Sequence, residues 1–269
     1  MKPLSKVYMA LLLIFMYAPI AVMIFYSFNA SESTSVFTGF SLKWYGELFR
    51  DKETIRALVN SLIIAVLSAV CSTVLGTAAA VGINSMRGGV RRTVNMVTNI
   101  PMMNPEIVTG VSMMLLFVFA GRLFGIVDVL GFWTLLIAHI TFNLPYVILS
   151  VLPSLRRTDR HLSEAAQDLG CTAFSAFFRV VLPSILPGII TGMLMAFTLS
   201  IDDFVISYFV SGPTFQTLPL RIYSMTKRRV TPDINALSTI MFVAILVLLV
   251  LINVREARED KKNRKGIEK

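Results

Sequence analysis

The chain has 269 residues, of which 55% are hydrophobic and 15% charged, and its mean hydropathy is +0.71. So few charges among such long apolar runs exclude a water-soluble domain and require a polytopic membrane protein. The formal net charge of +9 is no argument for nucleic acid, because the basic residues flank apolar spans or fill the tail, where topology demands them.

Apolar windows of spanning length fall at about 7–28, 58–83, 97–120, 132–151, 186–210 and 236–254, each near the ~20 residues that cross a hydrocarbon core. They predict an all-α protein with six transmembrane helices. The organisation reads as one transmembrane domain over 1–269, with a first helix at 7–28, a core at about 55–254 and a basic tail at 255–269. Lys2 and Lys6 precede a first run too long for a signal peptide, which reads as an uncleaved helix. Arg87, Arg91 and Arg92 follow the second window, and Arg156, Arg157 and Arg160 the fourth. With the basic tail they place both termini and the 164–183 loop in the cytoplasm. Lys227, Arg228 and Arg229 run against this pattern, on the predicted outer side.

The first outer loop, 29–57, is rich in Ser and Thr before it turns amphipathic through Trp44, Tyr45, Leu48 and Phe49. Tyr45 reads as an interface anchor. Trp44 reads equally as an anchor or as a residue of the outer mouth. Cys71 lies in an apolar window and Cys171 in a cytoplasmic loop, so no disulfide or metal-ligand spacing exists. His139 and His161 stand apart, and His139 reads as a packed polar group in a helix.

Pro101 and Pro105 interrupt the third window. Asn104-Pro105-Glu106 makes a helix start, with Asn104 as cap, Pro105 in the first position and Glu106 in the first turn. A helix from there to Ala120 covers roughly 24 Å at ~1.5 Å per residue, so its N-terminus sinks below the cytoplasmic surface. Broken helices survive in lipid only where protein buries them or a cavity runs beside them. Glu106 is then either a cation site or a complement to the helix dipole.

The segment 164–183 is the least hydrophobic ordered stretch. Glu164, Ala165 and Ala166 form a helical run and Gly170 breaks it. A second apolar segment through Phe174, Phe177, Phe178 and Val181 leads to a stop at Leu182-Pro183. Helix, bend, helix suits a rigid lever; the plainer reading is an amphipathic connector on the membrane surface.

Asp202 and Asp203 sit in AFTLSIDDFVISYFV with no basic residue in that window. An ionisable side chain at depth costs on the order of 2.5–3.5 kcal/mol, so such residues face a bundle interior or a water-filled cavity. On a continuous helix Ser200, Asp203 and Ser207 share one face, and Thr198 and Asp202 the adjoining one. Such carboxylates favour cations, and aromatic faces add about 0.5–2 kcal/mol each. Asp203 at an outer level and Glu106 at an inner one make two stations for a flexible polyamine. The rival reading locks the aspartates to basic residues of a partner subunit or of the outer loop.

The EAA run at Glu164, with Gly170 and Leu182-Pro183 at fixed distances after it, resembles the cytoplasmic loop of binding-protein-dependent ABC importer permeases, whose transmembrane fold is called MetI-like. FTLSIDDFVISYFVSGP from Phe197, LPLRIYSM from Leu218, ITFNLPYV from Ile140, MNPEIV around Glu106 and Lys43-Trp44-Tyr45 are similar to the PotC type of that family, the spermidine/putrescine permeases. The resemblance covers nearly all of the chain except the tail.

It implies a bacterial inner-membrane permease subunit of an ATP-driven polyamine importer. Glu106, Asp202, Asp203 and Trp44 then belong to the amine path, beside Ser200 and Ser207 of the polar stripe. Glu164, Ala165, Ala166, Gly170, Leu182 and Pro183 belong to the coupling element. The implied partners are a second, PotB-like permease, two PotA-like ATPases and an extracytoplasmic PotD-like polyamine-binding protein. Glu106 stands where this type has aspartate, which keeps the charge, whereas Lys227, Arg228 and Arg229 sit poorly with a polycation. Nothing resembles GxxxxGK[ST], and no nucleophile-base pair, cofactor site or catalytic metal constellation is present, so ATP hydrolysis is expected in another subunit. The alternatives are an importer of thiamine, iron or another small solute, a proton-coupled secondary transporter using the aspartates, and a membrane scaffold.

Overall fold

The computed structural model describes residues 3–31, 36–159, 161–227, 232–247 and 250. Their order is α1 (Pro3–Ser27), α2 (Lys43–Leu48), α3 (Lys52–Ser85), α4 (Gly88–Met103), α5 (Glu106–Leu123), α6 (Phe132–Arg157), α7 (His161–Asp168), α8 (Ala173–Ala176), a π turn (Phe177–Val181), α9 (Leu182–Ile201), α10 (Val205–Val210), α11 (Leu218–Thr226) and a shorter apolar helix, α12 (Pro232–Val247). The one β feature among the described residues is an isolated bridge between Asn29 and Phe40. Among the described residues five helical stretches are long and apolar enough to span a membrane: Lys6–Ser27, Lys52–Ser85, Glu106–Leu123, Phe132–Arg157 and Ala173–Ile201. The sixth expected window lies partly in α12 and partly outside the described residues, as do Arg160, Arg228, Arg229 and the basic tail.

The third window is broken where the prolines were expected to break it: α4 occupies 88–103 and a separate helix starts at Glu106, although Pro101 lies inside α4. Pro105 itself is the N-cap and Asn104 makes no side-chain cap, its extended backbone instead closing α4. The fifth starts earlier and ends sooner. Helix runs from Ala173 straight through Pro183 to Ile201, so Pro183 is no stop. A proline in an α turn sets its ring against the carbonyl four residues back and lacks the N–H to bond it. Here the turn before it is π-helical, with Leu182 N–H donating to Phe177 O, and the wider turn admits Pro183.

The chain divides into two compact units, Arg56–Arg221 and Met1–Ile55 with Ile222–Lys269. In the first, α6 and α9 form the central pair. Lipid tails supply no hydrophobic drive between helices, so close approach depends on small residues. Gly188 and Gly192 of α9 face Ser150 and Ser154 of α6; a Cβ on Gly188 would lie 2.9 Å from the Ser150 carbonyl oxygen, and one on Gly192 3.3 Å from Val147 Cα. Val147 reaches α3 as well, where a Cβ on Gly76 would stand 2.7 Å from its Cγ1. Ala69, Ala80, Val147, Val151 and Ile185 are buried in this seam.

In the second unit Asn29 organises the first loop. Its Nδ2 donates to Val36 O (2.8 Å), and its Oδ1 accepts from Thr38 N–H (2.9 Å). Its carbonyl accepts the Trp44 Nε1–H at 2.7 Å. Phe28 stacks on Phe40, and the Tyr45 hydroxyl meets Ser27 Oγ at 2.7 Å.

Gly188→Ala should therefore lower stability by about 1–3 kcal/mol, the cost of overpacking a tight seam. Gly82→Ala, where a Cβ meets nothing within 4 Å, should not. Thermal unfolding of the two variants in detergent makes the comparison.

Candidate functional site

A helix that stops inside a membrane must satisfy the backbone groups it frees. Helix α9 stops at Ile201, and α10 resumes at Val205 with six residues, VISYFV. One and a half turns do not hold together alone. The Asp203 carboxylate supplies what is missing: it accepts from Ile206 N–H (3.2 Å), Ser207 N–H (2.8 Å) and Ser207 Oγ–H (2.8 Å). It caps α10 from two residues upstream of the first helical residue.

The same carboxylate faces His139 of α6, whose Nε2 lies 3.3 Å from Asp203 Oδ2. On the other side of the ring Nδ1 meets Ser200 Oγ at 2.6 Å, and Ser68 Oγ of α3 donates to Ser200 Oγ at 2.9 Å. Completing this chain of donors puts the Nε2 hydrogen toward Asp203 and lets Nδ1 accept from Ser200. An acceptor-only group thus meets four donors from two helices. His139 is 2% exposed and Asp203 9%. The far end of α10 is held by α6 too, where Thr134 Oγ1 donates to Val210 O at 3.1 Å.

Asp202 is different. It forms the C-cap of α9, is exposed, and feels the charges of Asp203 and of Glu106. Glu106 is exposed as well, in the first turn of α5. The two come together because α5 packs on α10 through Gly110, where a Cβ would lie 3.0 Å from Phe209 Cδ2 and 3.5 Å from both Ile206 Cα and Val205 O. Two separate levels were expected for the acids of α5 and of the fifth span. The first turn of α5 instead stands beside the break, at one level with it.

The polar stripe expected on a continuous helix also has another form. Ser200, Asp203 and Ser207 do converge, but across a break and around His139. That histidine, with Ser68 and Thr134, was missed as part of a site; the signal was an imidazole in an apolar stretch of one span and an unmatched acid in another. The lock foreseen for the aspartates, with basic residues of a partner subunit or of the outer loop, is made for Asp203 within the chain instead, at His139 of α6. Trp44 belongs to the other unit: it is buried, its N–H is used by Asn29, and Lys43 Nζ stands 4.9 Å from its ring centroid. Lys227 lies 4.7 Å from the Tyr223 ring centroid.

The lever-like segment is built from turn chemistry. Gly170 has φ +89°, a conformation favouring glycine. Its N–H donates to Gln167 O and Cys171 N–H to Ala166 O, the paired bonds that close a helix at a left-handed residue. Thr172 Oγ1 then accepts from Ser175 N–H to open α8. Glu164 pairs with His161 at 3.0 Å and Ala165 is exposed, whereas Ala166 is buried. Leu182 is half-buried and Pro183 exposed in the helix that follows. Leu169 and Phe174 project outward, 88% and 75% exposed.

Residues 72–258 match the family described as binding-protein-dependent transport system inner membrane component. The putrescine transport system permease protein PotI of Escherichia coli (strain K12) is 41% identical over 259 residues, 95% of this chain and 91% of its own. The spermidine/putrescine transport system permease protein PotC of Haemophilus influenzae is 39% identical over 245 residues, 91% of this chain and 93% of its own. Among solved structures, a bacterial ABC transporter involved in the import of the acidic polysaccharide alginate superposes with a TM-score of 0.70 at 17% identity, covering 93% of this chain and 91% of that one. An amino acid ABC transporter with histidines gives 0.59 at 18%, covering 81% and 100%. At such identities these two likenesses speak for the fold alone.

Removing the imidazole strands a buried carboxylate. His139→Ala should cost about 3–5 kcal/mol, as one-sided breakage of a buried pair does. Adding Asp203→Asn should recover part of the loss, since the amide carries no charge to compensate. A double-mutant cycle on thermal unfolding reads the coupling; strict additivity would mean that the two side chains do not act as a pair.

Proposed function

The chain belongs to the family of binding-protein-dependent transport system inner membrane components and is a multi-pass membrane protein with the MetI-like ABC permease fold; from that premise we propose that it is the permease subunit of an ATP-driven polyamine importer. The observation that carries the substrate class is the exposed pair Asp202 and Glu106, one at the break after α9 and the other in the first turn of α5, the helix that packs on α10 at Gly110. A polyamine presents ammonium groups along a flexible chain, and each can exchange water for a charge-assisted hydrogen bond to a carboxylate. The C-terminal end of α9 adds carbonyls without intrahelical partners, whose dipoles favour a cation there. The names of the relatives, putrescine and spermidine/putrescine permeases, agree with that chemistry.

In this reading the six expected path residues divide by role. Asp202 and Glu106 meet the amine. Asp203, Ser200 and Ser207 hold the break in shape through His139. Trp44 braces the first outer loop, where a PotD-like protein delivers substrate. A second, PotB-like permease completes the path, both units of this chain work as one permease domain, and both termini lie in the cytoplasm.

Energy enters at α7. Two PotA-like ATPases, which hydrolyse the ATP, dock on the segment of Glu164, Ala165 and Ala166, and their closure pushes it. The Gly170 bend passes the push to a helix that runs unbroken from Ala173, through Leu182 and Pro183, to Ile201, about 43 Å at 1.5 Å per residue. That helix ends at Asp202, so one rod joins the docking site to the cation site. Alternating access follows when the two positions of the rod expose the carboxylates to opposite sides.

Asp202→Asn and Glu106→Gln should each weaken amine recognition by about 1.5–3 kcal/mol, the value of a hydrogen bond to a charged group. That is about tenfold or more in apparent affinity. Asp203→Asn should instead reduce the amount of folded protein. Uptake of labelled spermidine and putrescine by cells, normalised to permease in the membrane, separates the two effects. Unchanged uptake in the Asp202→Asn, Glu106→Gln double variant removes the substrate assignment.

A further inference from the structure

Where α6 gives way to α7, the end of α3 and the start of α4 help to enclose a cavity of about 540 Å³. Arg91, Arg156 and Arg157 line it, together with Asn84, Asp159 and His161. None of the three guanidinium groups has a carboxylate within ion-pairing distance among the described residues. Asp159 is the one acid in the lining, and its Oδ1 is engaged by the His161 N–H at 3.0 Å. The cavity therefore carries three permanent positive charges against one negative. It repels a polyamine, so it is no station on the proposed path.

The depth of the cavity says what it meets. Trp133, 71% exposed, stands at the opposite end of α6 as an interface residue does, about 35 Å from Arg156 along the helix at 1.5 Å per residue. That distance is one hydrocarbon core with a margin at either side. The arginines thus lie at headgroup level in the other leaflet, where phosphodiesters are the abundant anions. A guanidinium presents a planar fork of donors that matches two phosphate oxygens at once, and basic pockets between spanning helices suit such headgroups.

We propose that this cavity binds the phosphate of an anionic phospholipid. The lipid then lies against His161, the first residue of α7.

The test uses the full-length chain in nanodiscs of mixed phosphatidylglycerol and phosphatidylcholine, with retained lipid counted by native mass spectrometry. Phosphatidylglycerol should be retained over phosphatidylcholine, and Arg91→Gln, Arg156→Gln and Arg157→Gln should each weaken that retention about fivefold, from ~1 kcal/mol per arginine near a membrane surface. Arg87→Gln and Arg92→Gln remove the same charge from neighbouring positions outside the cavity and should leave it unchanged; helix content by circular dichroism confirms folding. Equal loss from all five variants means a diffuse interfacial charge and overturns the proposal. So does equal retention of the two lipids, and so does stabilisation of the chain by inorganic phosphate in pure phosphatidylcholine without phosphatidylglycerol enrichment, which assigns the cavity to a soluble anion. The binding readout involves no transport, so its failure leaves the polyamine reading untouched.

Discussion

A carboxylate that caps a helix from inside a membrane is the constraint on which the rest depends. The fifth span breaks at 202–204, and six residues of α10 become a helix only because Asp203 accepts their first N–H groups while His139 faces the same oxygen. Neither group is affordable alone in an apolar bundle. Together with Ser200, Ser207 and Ser68 they form a closed polar cluster, and polar satisfaction is what permits irregular backbone at that depth.

The break has consequences at both ends of α9. At its C-terminal end Asp202 lies outside the lock that holds Asp203 and stands near Glu106, because Gly110 lets α5 close on α10. At its other end the helix continues through a π turn and two prolines into the segment that carries the EAA run. The seam of Gly188, Gly192, Ser150 and Ser154 keeps α9 against α6, so a displacement of the rod must be shared with the helix that grips α10 at both ends. Adjacent acids in the sequence, Asp202 and Asp203, thereby stand in different surroundings: Asp203 is buried and capped into α10, and Asp202 is exposed.

Much of this was legible in the residues. Hydropathy found five of the six expected spans among the described residues, because an apolar window of about 20 residues has few other uses, and Gly170 announced a bend because its left-handed backbone favours glycine. The EAA spacing and the IDDF run carried the family, which the matched relatives bear out. What periodicity obscured was continuity. Pro183 looked like a terminator, since proline breaks an α turn, but a π turn relaxes that rule and is not written in the pattern. Conversely, the run around Asp202 looked like unbroken helix, since its apolar residues continue on both sides of the break. The partner of Asp203 escaped notice for a related reason: His139 lies 64 positions earlier, and only packing brings α6 alongside. The seam of small residues passed as ordinary composition, because glycine spacing gains meaning only when the facing helix is known.

The most direct test of the account is chemical access to the two adjacent acids. In an assembled importer whose Cys71 and Cys171 are replaced by serine, Asp202→Cys and Asp203→Cys would each be exposed to a positively charged methanethiosulfonate reagent. The account predicts that the thiol at 202 reacts and is shielded by spermidine, while the thiol at 203 stays unmodified. Ready, spermidine-protected labelling at 203 with an inert position 202 would contradict it.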